Sequence, residues 1–257
     1  MDIRDYLQRI RYRGSLEPTL QTLRALHEAH LLTVPFENLS IHYGQPIILQ
    51  EALLFNKIVR KHRGGFCYEL NGLFAWLLGQ SGFQVTLLSA EVAGDASNFS
   101  PEFDHLTLLV HRLSGTNWLA DVGFGDSFLH PLRFEAEVEQ KGADGKEYRL
   151  QRKYDEHTQR DYWIVQQLSD ATWQPQYRFT VQPHTLADFT ERCIYQQTSP
   201  ESHFTRQRIC SLATPTGRIS LSDLRLITTI HGERKEQVLT SEEEYIAVLA
   251  EQFGVVI

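Results

Sequence analysis

Apolar residues recur at helical spacing through the first third of the chain. Residues 2–12 form a short amphipathic pattern, and a second apolar stripe covers residues 20–31, after a helix N-cap expected at Ser15. Similar patterns cover residues 50–60 and the segment that begins at Cys67 and continues with apolar residues three and four positions apart. Because each helix has one apolar face to bury, the pattern predicts a bundle of short helices.

The pattern changes to short β-rich runs near residue 83. No helical pattern lies between these runs, and a turn signal at residues 112–117 separates the second from the third. The six runs are residues 83–92, 106–110, 118–122, 147–154, 162–168 and 176–181. Strands in this arrangement favour an antiparallel barrel or sheet.

The remaining sequence mixes helical and strand patterns. One helix is predicted near residues 186–195 and a closing helix at residues 241–253. The strands predicted between them are residues 209–213, 217–221, 224–231 and 234–239. The sequence therefore predicts an α+β fold in three parts, which are residues 1–83, residues 84–190 and residues 191–257.

Composition narrows the class of protein. The chain has 257 residues and a formal net charge of −7, which argues against a general binder of nucleic acid or membrane surfaces. Its three cysteines, Cys67, Cys193 and Cys210, form no CxxC motif and no disulfide framework, which fits a reducing compartment. The N-terminus has no apolar signal core and no apolar run approaches the ~20 residues of a membrane span. We therefore expect a soluble cytoplasmic protein.

Cys67 has the local sequence of a nucleophile. Gly64 and Gly65 interrupt regular structure before it, and the apolar helical pattern begins after it. Unpaired backbone N–H groups and the helix dipole at a helix start favour a thiolate, and Arg63 adds positive charge. The glycines are expected to leave a path to the sulfur. Since most free cysteines are small buried hydrophobes, this segment alone leaves both interpretations open.

A predicted hairpin supplies a base and an orienting carboxylate. His105 begins one strand and Asp121 ends the next. If the turn is centred between Leu113 and Gly115, the two residues are opposite or diagonal neighbours, with Cβ atoms ~5–8 Å apart. An aspartate there can orient and stabilise an imidazole. Together with Cys67, the pair makes a Cys–His–Asp hypothesis.

Other motifs give weaker signals. His62, His111 and His130 are alternative bases, and the spacing does not exclude His130. The segment 123–125 (GFG) lacks the third glycine and the following helix of a dinucleotide motif, so it is either a strand-ending bend or a site of ligand approach. The chain has no GxxxxGK[ST] loop, and no His, Cys or carboxylate set has zinc spacing, so we expect no metal site.

Four segments, in this order along the chain, resemble the arylamine N-acetyltransferase family. They are residues 35–39 (PFENL), 63–71 (RGGFCYELN), 105–106 (HL) and 121–125 (DVGFG). Residues 199–204 (SPESHF) are a weaker match. The combination RGGFC followed by E-x-N is specific, whereas GFG alone is not.

The resemblance implies a fold and a reaction. The fold would be a helical bundle, a central antiparallel β-barrel and a C-terminal α/β lid, with a catalytic core like that of cysteine proteases. Cys67 would take an acetyl group from acetyl-CoA and pass it to an arylamine, arylhydrazine or arylhydroxylamine in a ping-pong mechanism. His105 would hold a proton in an ion pair with Cys67 and deprotonate the incoming amine, and Asp121 would fix the tautomer of the His105 ring. The backbone N–H of Cys67 would help to hold the oxyanion.

The resemblance also implies binding roles. Phe36, Phe124 and Phe204 would line the acceptor pocket. Gly123 and Gly125 would lie along acetyl-CoA, which is a co-substrate. The partners would be acetyl-CoA and a small aromatic amine or hydrazine, with no nucleic acid and no membrane.

Arg63 changes role under the resemblance. It would tie to Glu37 and Asn38 and be structural more than catalytic. The resemblance further implies a cytoplasmic enzyme of xenobiotic metabolism, acting as a monomer or homodimer without a metal.

Two other functions stay open on the sequence. A papain- or transglutaminase-like hydrolase or amide transferase would use the same Cys–His–Asp set, since it also forms a thioester. The sequence motif around Cys67, together with PFENL at residues 35–39, favours acetyl transfer. A non-catalytic binding protein that keeps the fold is the third hypothesis, and the intact triad speaks against it.

Overall fold

The computed structural model of the protein describes residues 1–94, 98–142 and 145–257. The first third forms helices joined by short loops. They are α1 (Ile3–Arg9), α2 (Leu20–Leu31), α3 (Leu39–His42), α4 (Glu51–Phe55), a π-helical turn (Asn56–Arg60) and α5 (Cys67–Gln80). Thr19 caps α2, because its side chain accepts a hydrogen bond from the N–H of Thr22, so the cap expected at Ser15 is wrong.

Helix α5 lies at the centre of the first part of the fold. Residues 67–74 are all buried, and Leu70, Phe74 and Leu77 have no exposed surface. These side chains share one apolar core with helices α1 and α2 and with Leu106 and Leu108 from the following sheet. In the described part of the chain, no helix is long and apolar enough to cross a membrane.

An antiparallel sheet of eight strands follows α5. Its strands are β2 (Val85–Val92), β3 (His105–Leu113), β4 (Thr116–Ala120), β5 (Leu132–Arg133), β6 (Gln140–Lys141), β7 (Glu147–Asp155), β8 (Arg160–Ser169) and β9 (Thr172–His184). They are paired in the order β5-β4-β3-β2-β9-β8-β7-β6. The side-chain amide of Gln140 bonds to the backbone N–H and C=O of Arg133 at 2.6 and 3.1 Å. This contact joins the two edge strands, so the sheet is a nearly closed barrel.

A second sheet joins the last third of the chain to the first. Strand β1 (Phe36–Glu37) pairs with β10, and the sheet continues in the order β10-β11-β12-β13. The elements after β9 are a 3₁₀ turn (Leu186–Phe189), α6 (Thr190–Thr198), α7 (His203–Arg206), β10 (Ile209–Thr214), β11 (Gly217–Ser222), β12 (Arg225–Ile230), β13 (Glu233–Val238) and α8 (Glu242–Phe253). A short segment that follows α2 is therefore the edge strand of the C-terminal sheet.

Helix α8 buries the predicted apolar face against this sheet. Tyr245 and Leu249 are fully buried and pack with Cys210 and Leu221. The observed elements agree with the α+β prediction of a helical first part, an antiparallel barrel and a mixed last part.

Candidate active site

Cys67 is the first residue of helix α5, and its side chain is buried. Phe66 occupies the N-cap position. Only 4% of the Cys67 surface is exposed, and its Sγ lies 3.9 Å from the backbone carbonyl oxygen of Asp104. The helix start predicted at Cys67 is confirmed. The thiol lies against the segment that leads into β3.

His105 and Asp121 form a buried hydrogen-bonded pair. Strands β3 and β4 pair Leu108 with Ala120, and continuing this register puts Asp121 opposite Thr107, two residues from His105. The distance from His105 Nε2 to Asp121 Oδ2 is 2.6 Å. Both side chains are nearly or fully buried. The neighbour relation predicted from the turn is confirmed, and His105 directly follows the Asp104 carbonyl that contacts Cys67.

Gly123 packs directly on the first turn of α5. A Cβ at this position would lie 2.8 Å from the Cα and 2.9 Å from the carbonyl oxygen of Cys67, and 2.7 Å from Nδ2 of Asn71. Real Cβ atoms do not approach backbone this closely, so only glycine fits. The segment after β4 is therefore held against Cys67 itself.

Asn71 connects α5 to Asp121 and was missed as a site residue in the sequence. Its Nδ2 donates to Oδ1 of Asp121 at 2.8 Å and to the carbonyl of Leu106 at 2.6 Å. Its Oδ1 accepts from the N–H of Val122 at 2.9 Å. The signal that could have found Asn71 is its spacing of four residues from Cys67, which puts both on one helix face.

The Asp121 carboxylate is fully buried and ionised. Burial raises its pKa, but the interaction with His105 and the hydrogen bonds from His105, Asn71 and the Gly123 N–H together bring the pKa below its ordinary value. A buried carboxylate held in the charged form can orient an imidazole and stabilise positive charge on it.

Cys67 differs from the sequence expectation in its ionisation. Burial raises the pKa of the Cys67 thiol well above its ordinary value, and the nearby Asp104 and Asp121 carboxylates raise it further. A hydrogen bond from the Leu106 N–H acts in the other direction without compensating. Desolvation of the charged sulfur thus opposes the thiolate that a helix start favours. We call Cys67, His105 and Asp121 the candidate triad.

Gly64 and Gly65 are closely packed by their neighbours, and the expected path to the sulfur stays a prediction. Both are buried. A Cβ at Gly64 would collide with the carbonyl oxygen of Pro35, and one at Gly65 would lie 2.7 Å from the Glu69 carboxylate. The glycines let strand β1 and the start of α5 approach each other.

Four charged side chains form a second buried group beside the start of α5. They are Arg63, Glu37, Lys57 and Glu69, which we call the charge cluster. Arg63 Nη2 lies 2.9 Å from Glu37 Oε1, and Lys57 Nζ lies 2.8 Å from Glu69 Oε1 and 3.9 Å from Glu37 Oε1. Burial raises the pKa of Glu37, but Lys57 and Arg63 bring it below its ordinary value. The predicted tie between Arg63 and Glu37 is confirmed, and Lys57 was missed.

Asn38 does not join the charge cluster, so its predicted tie to Arg63 is wrong. Its Nδ2 donates to the carbonyls of Phe204 and Gln207 at 3.0 and 2.7 Å, and its Oδ1 accepts from the N–H of Ile209 at 2.8 Å. Glu37 ends strand β1, whereas Asn38 is the N-cap residue of α3, and the two side chains reach different partners. Asn38 thereby fastens α7 and β10 to the first part of the fold.

The three predicted pocket phenylalanines are half-buried and lie around this region. The rings of Phe36 and Phe204 are 6.1 Å apart, and a Cβ at Gly125 would lie 3.9 Å from the Phe36 ring. Phe124 packs edge-on against His105 at 5.2 Å. Tyr177, which the sequence analysis did not single out, contacts both rings, at 4.9 Å from Phe124 and 5.0 Å from His105.

The alternative bases make contacts elsewhere. His111 Nε2 is bonded to Thr86 at 2.7 Å, His130 Nε2 lies 3.3 Å from Glu28, and His62 is exposed. Among the residues that the structure describes, no group of three or more His, Cys, Asp or Glu side chains is arranged to hold a metal ion.

Comparisons with known proteins agree with this geometry. A family model described as N-acetyltransferase matches residues 19–257. A chicken pineal gland arylamine N-acetyltransferase, isozyme NAT-3, is 34% identical over 99% of this chain and 94% of its own. Human arylamine N-acetyltransferase 1 gives the same three values. The solved arylamine N-acetyltransferase of M. tuberculosis has a TM-score of 0.90 and 32% identity, covering 99% of this chain and 94% of that one.

This chain belongs to the arylamine N-acetyltransferase family. It is therefore an enzyme of the acyltransferase class. Family membership decides against the hydrolase and the non-catalytic hypotheses, which the residues around Cys67 had left open.

Proposed function

We propose that this enzyme transfers the acetyl group of acetyl-CoA to arylamines, arylhydrazines and arylhydroxylamines through an acetyl-Cys67 thioester. The observation that carries the proposal is the 2.6 Å bond between His105 and Asp121, next to the Asp104 carbonyl that contacts Cys67 Sγ. The proposed division of the chain has three domains. A helical bundle of residues 1–83 carries Cys67, and a barrel of residues 84–190 carries His105 and Asp121. Residues 191–257 are proposed to form a lid over these three residues.

In the first half-reaction, Cys67 attacks the thioester carbonyl carbon. Because His105 uses Nε2 toward Asp121, Nδ1 is left to accept the Cys67 proton. The new Sγ–carbon bond gives a tetrahedral intermediate, whose collapse breaks the bond to the CoA sulfur. His105 returns the proton to that sulfur, and CoA leaves as a thiol.

The raised pKa of the Cys67 thiol is consistent with this order of reaction steps. Burial disfavours a free thiolate at Cys67, so transfer of the thiol proton to His105 is proposed to accompany the attack of the sulfur. Asp121 is already ionised and stabilises the imidazolium. The Cys67 N–H lies in the first turn of α5, where the helix itself provides no acceptor, and it can donate to the oxyanion.

In the second half-reaction, the amine nitrogen attacks the acetyl-Cys67 carbonyl. His105 accepts the proton that the nitrogen loses, the Sγ–carbon bond breaks, and Cys67 regains a proton. Phe36, Phe124 and Phe204 are proposed to hold the aromatic ring of the acceptor, since aromatic faces pack well against one another.

Acetyl-CoA is proposed to approach along Gly123 and Gly125. A cleft of about 690 Å³ begins beside this segment, between the barrel and the C-terminal sheet. The residues around it include Asp126, Leu129, Lys146, Pro215, Arg218 and His231. Lys146 and Arg218 both pair with Asp126 at this cleft, at 2.8 and 3.2 Å, and are proposed to bind CoA phosphate groups in addition while the pantetheine reaches Cys67.

We further propose a reducing cytoplasmic location, a monomer or homodimer, and a role in xenobiotic metabolism. The location is supported by the three cysteines, which are all free and buried.

The test is to mix the enzyme with acetyl-CoA in the absence of any amine and to digest it for mass spectrometry. We expect one added acetyl mass on the peptide that contains Cys67. A peptide without the adduct, in enzyme that instead cleaves peptide bonds, would overturn the proposal.

A further inference from the structure

His27 uses both ring nitrogens on the segment that follows β4. It lies in α2 with no exposed surface. Its Nε2 accepts from the backbone N–H of Asp121 at 3.0 Å, and its Nδ1 donates to the backbone carbonyl of Leu129 at 2.8 Å. A backbone N–H can only donate and a carbonyl can only accept, so these partners fix the tautomer.

The surroundings keep this imidazole neutral. Its ring stacks on Phe128 at 5.8 Å and meets the edge of Phe74 at 5.9 Å. Burial lowers the pKa of His27 to about 4, although the Leu129 carbonyl and the Asp121 carboxylate favour the charged form. Only a neutral ring can accept the Asp121 N–H.

The two bonds hold both ends of one loop. Residues 121–129 start at Asp121 and end at Leu129, and between them lie Gly123, packed on Cys67, and Phe124, packed on His105. A single rigid side chain on α2 thus sets the position of this loop against the helical bundle. The backbone of Asp121 in turn sets the direction of the carboxylate that binds His105.

We propose that His27 is a positioning residue for the candidate triad, which acts by holding residues 121–129 in place. The inference rests on the proposed function, and it assigns to His27 an effect on reaction rate beyond its effect on stability.

His30 provides a matched control on the same helix. It is also fully buried, and its Nδ1 is bonded to Tyr6 Oη at 2.9 Å, on the side of α1. Its Nε2 has no hydrogen-bond partner among the described residues. Replacing His30 removes a buried imidazole from α2 without removing a bond to residues 121–129.

The experiment compares His27→Leu with His30→Leu in two assays, each corrected for the folded fraction. The first is single-turnover acetylation of Cys67 by acetyl-CoA, and the second is the pH profile of Cys67 alkylation by iodoacetamide. For His27→Leu we expect acetylation to slow by roughly 10- to 100-fold, because small displacements of catalytic groups are costly. We also expect a displaced alkylation profile, and for His30→Leu neither change.

Two further variants separate the two bonds. His27→Gln places an amide near Nε2 and can still accept the Asp121 N–H, whereas His27→Asn places one near Nδ1 and can still donate to Leu129. We expect His27→Gln to recover more of the acetylation rate than His27→Asn. If both leucine variants fail to fold, this order decides the question.

Equal rates in His27→Gln and His27→Asn, or equal losses in His27→Leu and His30→Leu, would overturn the positioning role. The alkylation assay does not depend on acetyl transfer. Wild-type enzyme that is alkylated at Cys67 but never acetylated would contradict the proposed function, while the alkylation profiles would still decide the role of His27.

Discussion

Helix α5 begins between two buried polar groups that differ in how their charges are paired. The charge cluster contains two cations and two carboxylates that contact one another. The candidate triad contains one ionised carboxylate, one imidazole and one thiol whose pKa is raised by burial. Each charged side chain of the charge cluster has a partner of opposite charge. The candidate triad instead contains a thiol proton that the proposed reaction transfers to His105.

We therefore expect the charge cluster to contribute to the stability of the fold and the candidate triad to contribute to the reaction. A buried ion pair that loses one partner leaves an uncompensated charge, so the charge cluster holds β1 and the π-helical turn against α5. In the candidate triad, the proposed reaction instead moves a proton between Cys67 and His105. Substitutions in the triad should therefore affect rate, and substitutions in the charge cluster should affect stability.

The largest expected effect is in the triad. Cys67→Ser should lower the acetylation rate by roughly 10⁴-fold or more, because a hydroxyl is a much weaker nucleophile at neutral pH. The free energy of unfolding, measured by chemical denaturation, should stay close to that of the wild type. Substantial remaining turnover would remove Cys67 as the nucleophile.

Asp121→Asn tests the orienting carboxylate. A neutral amide cannot stabilise an imidazolium and can favour the wrong tautomer, so we expect a loss in turnover of about 10³- to 10⁴-fold. The measurement is steady-state turnover, together with the rate of Cys67 alkylation. Wild-type rates in both assays would show that the 2.6 Å contact with His105 is only structural.

Arg63→Ala tests the charge cluster. It leaves the Glu37 carboxylate buried with Lys57 at 3.9 Å as its remaining cation, and losing one partner of a buried pair costs about 3–5 kcal/mol. Chemical denaturation should show this loss, while turnover per folded molecule changes little. Arg133→Ala, which removes a surface pair with Glu135, is the control and should change stability little. Unchanged stability with lost rate would place Arg63 in the chemistry.

As the pH falls, protonation of His27 should lower the free energy of unfolding before Asp121 is protonated. His27 has a folded pKa of about 4 against 6.5 when unfolded, so the unfolded chain binds more protons between these values. The free energy of unfolding is therefore unaffected by protonation of His27 above about pH 6.5. It falls by roughly 3 kcal/mol as the pH approaches 4, because protons bind to His27 in the unfolded chain. The charged or titratable groups around the ring are Asp121, His30 and His130. Denaturation at pH 7 and pH 5 should show a smaller difference in His27→Gln than in the wild type.

The smallest expected effect is at the aromatic wall. Phe204→Ala removes a ring that packs at 5.5 Å from Phe66 and 6.1 Å from Phe36. The KM for an arylamine should rise by about 10-fold, as one apolar contact is lost, whereas single-turnover acetylation of Cys67 should stay the same. A slower acetylation step would indicate that Phe204 contacts acetyl-CoA instead of the arylamine.

Local signals in the sequence predicted the features that depend on short stretches of chain. The glycines and apolar spacing around Cys67 gave the helix start, and the turn between β3 and β4 placed His105 beside Asp121. The motif resemblance gave the family and the three-part fold.

Other contacts depend on distant parts of the chain and could not be predicted. Asn38 bonds to α7 and β10 because β1 joins the C-terminal sheet, more than 160 residues away in sequence. Lys57 reaches Glu69 only because the π-helical turn packs beside α5. The raised pKa of Cys67 is caused mainly by its burial in the fold, which short stretches of sequence do not reveal.

The central claim is that Cys67 carries the acetyl group between two substrates. The direct test is to form the acetyl-enzyme, remove all CoA by gel filtration, and add an arylamine. We predict one equivalent of N-acetylated amine and the return of the Cys67 peptide to its unmodified mass. An acetyl-enzyme that keeps its adduct in the presence of the amine, or releases only acetate, would contradict the account.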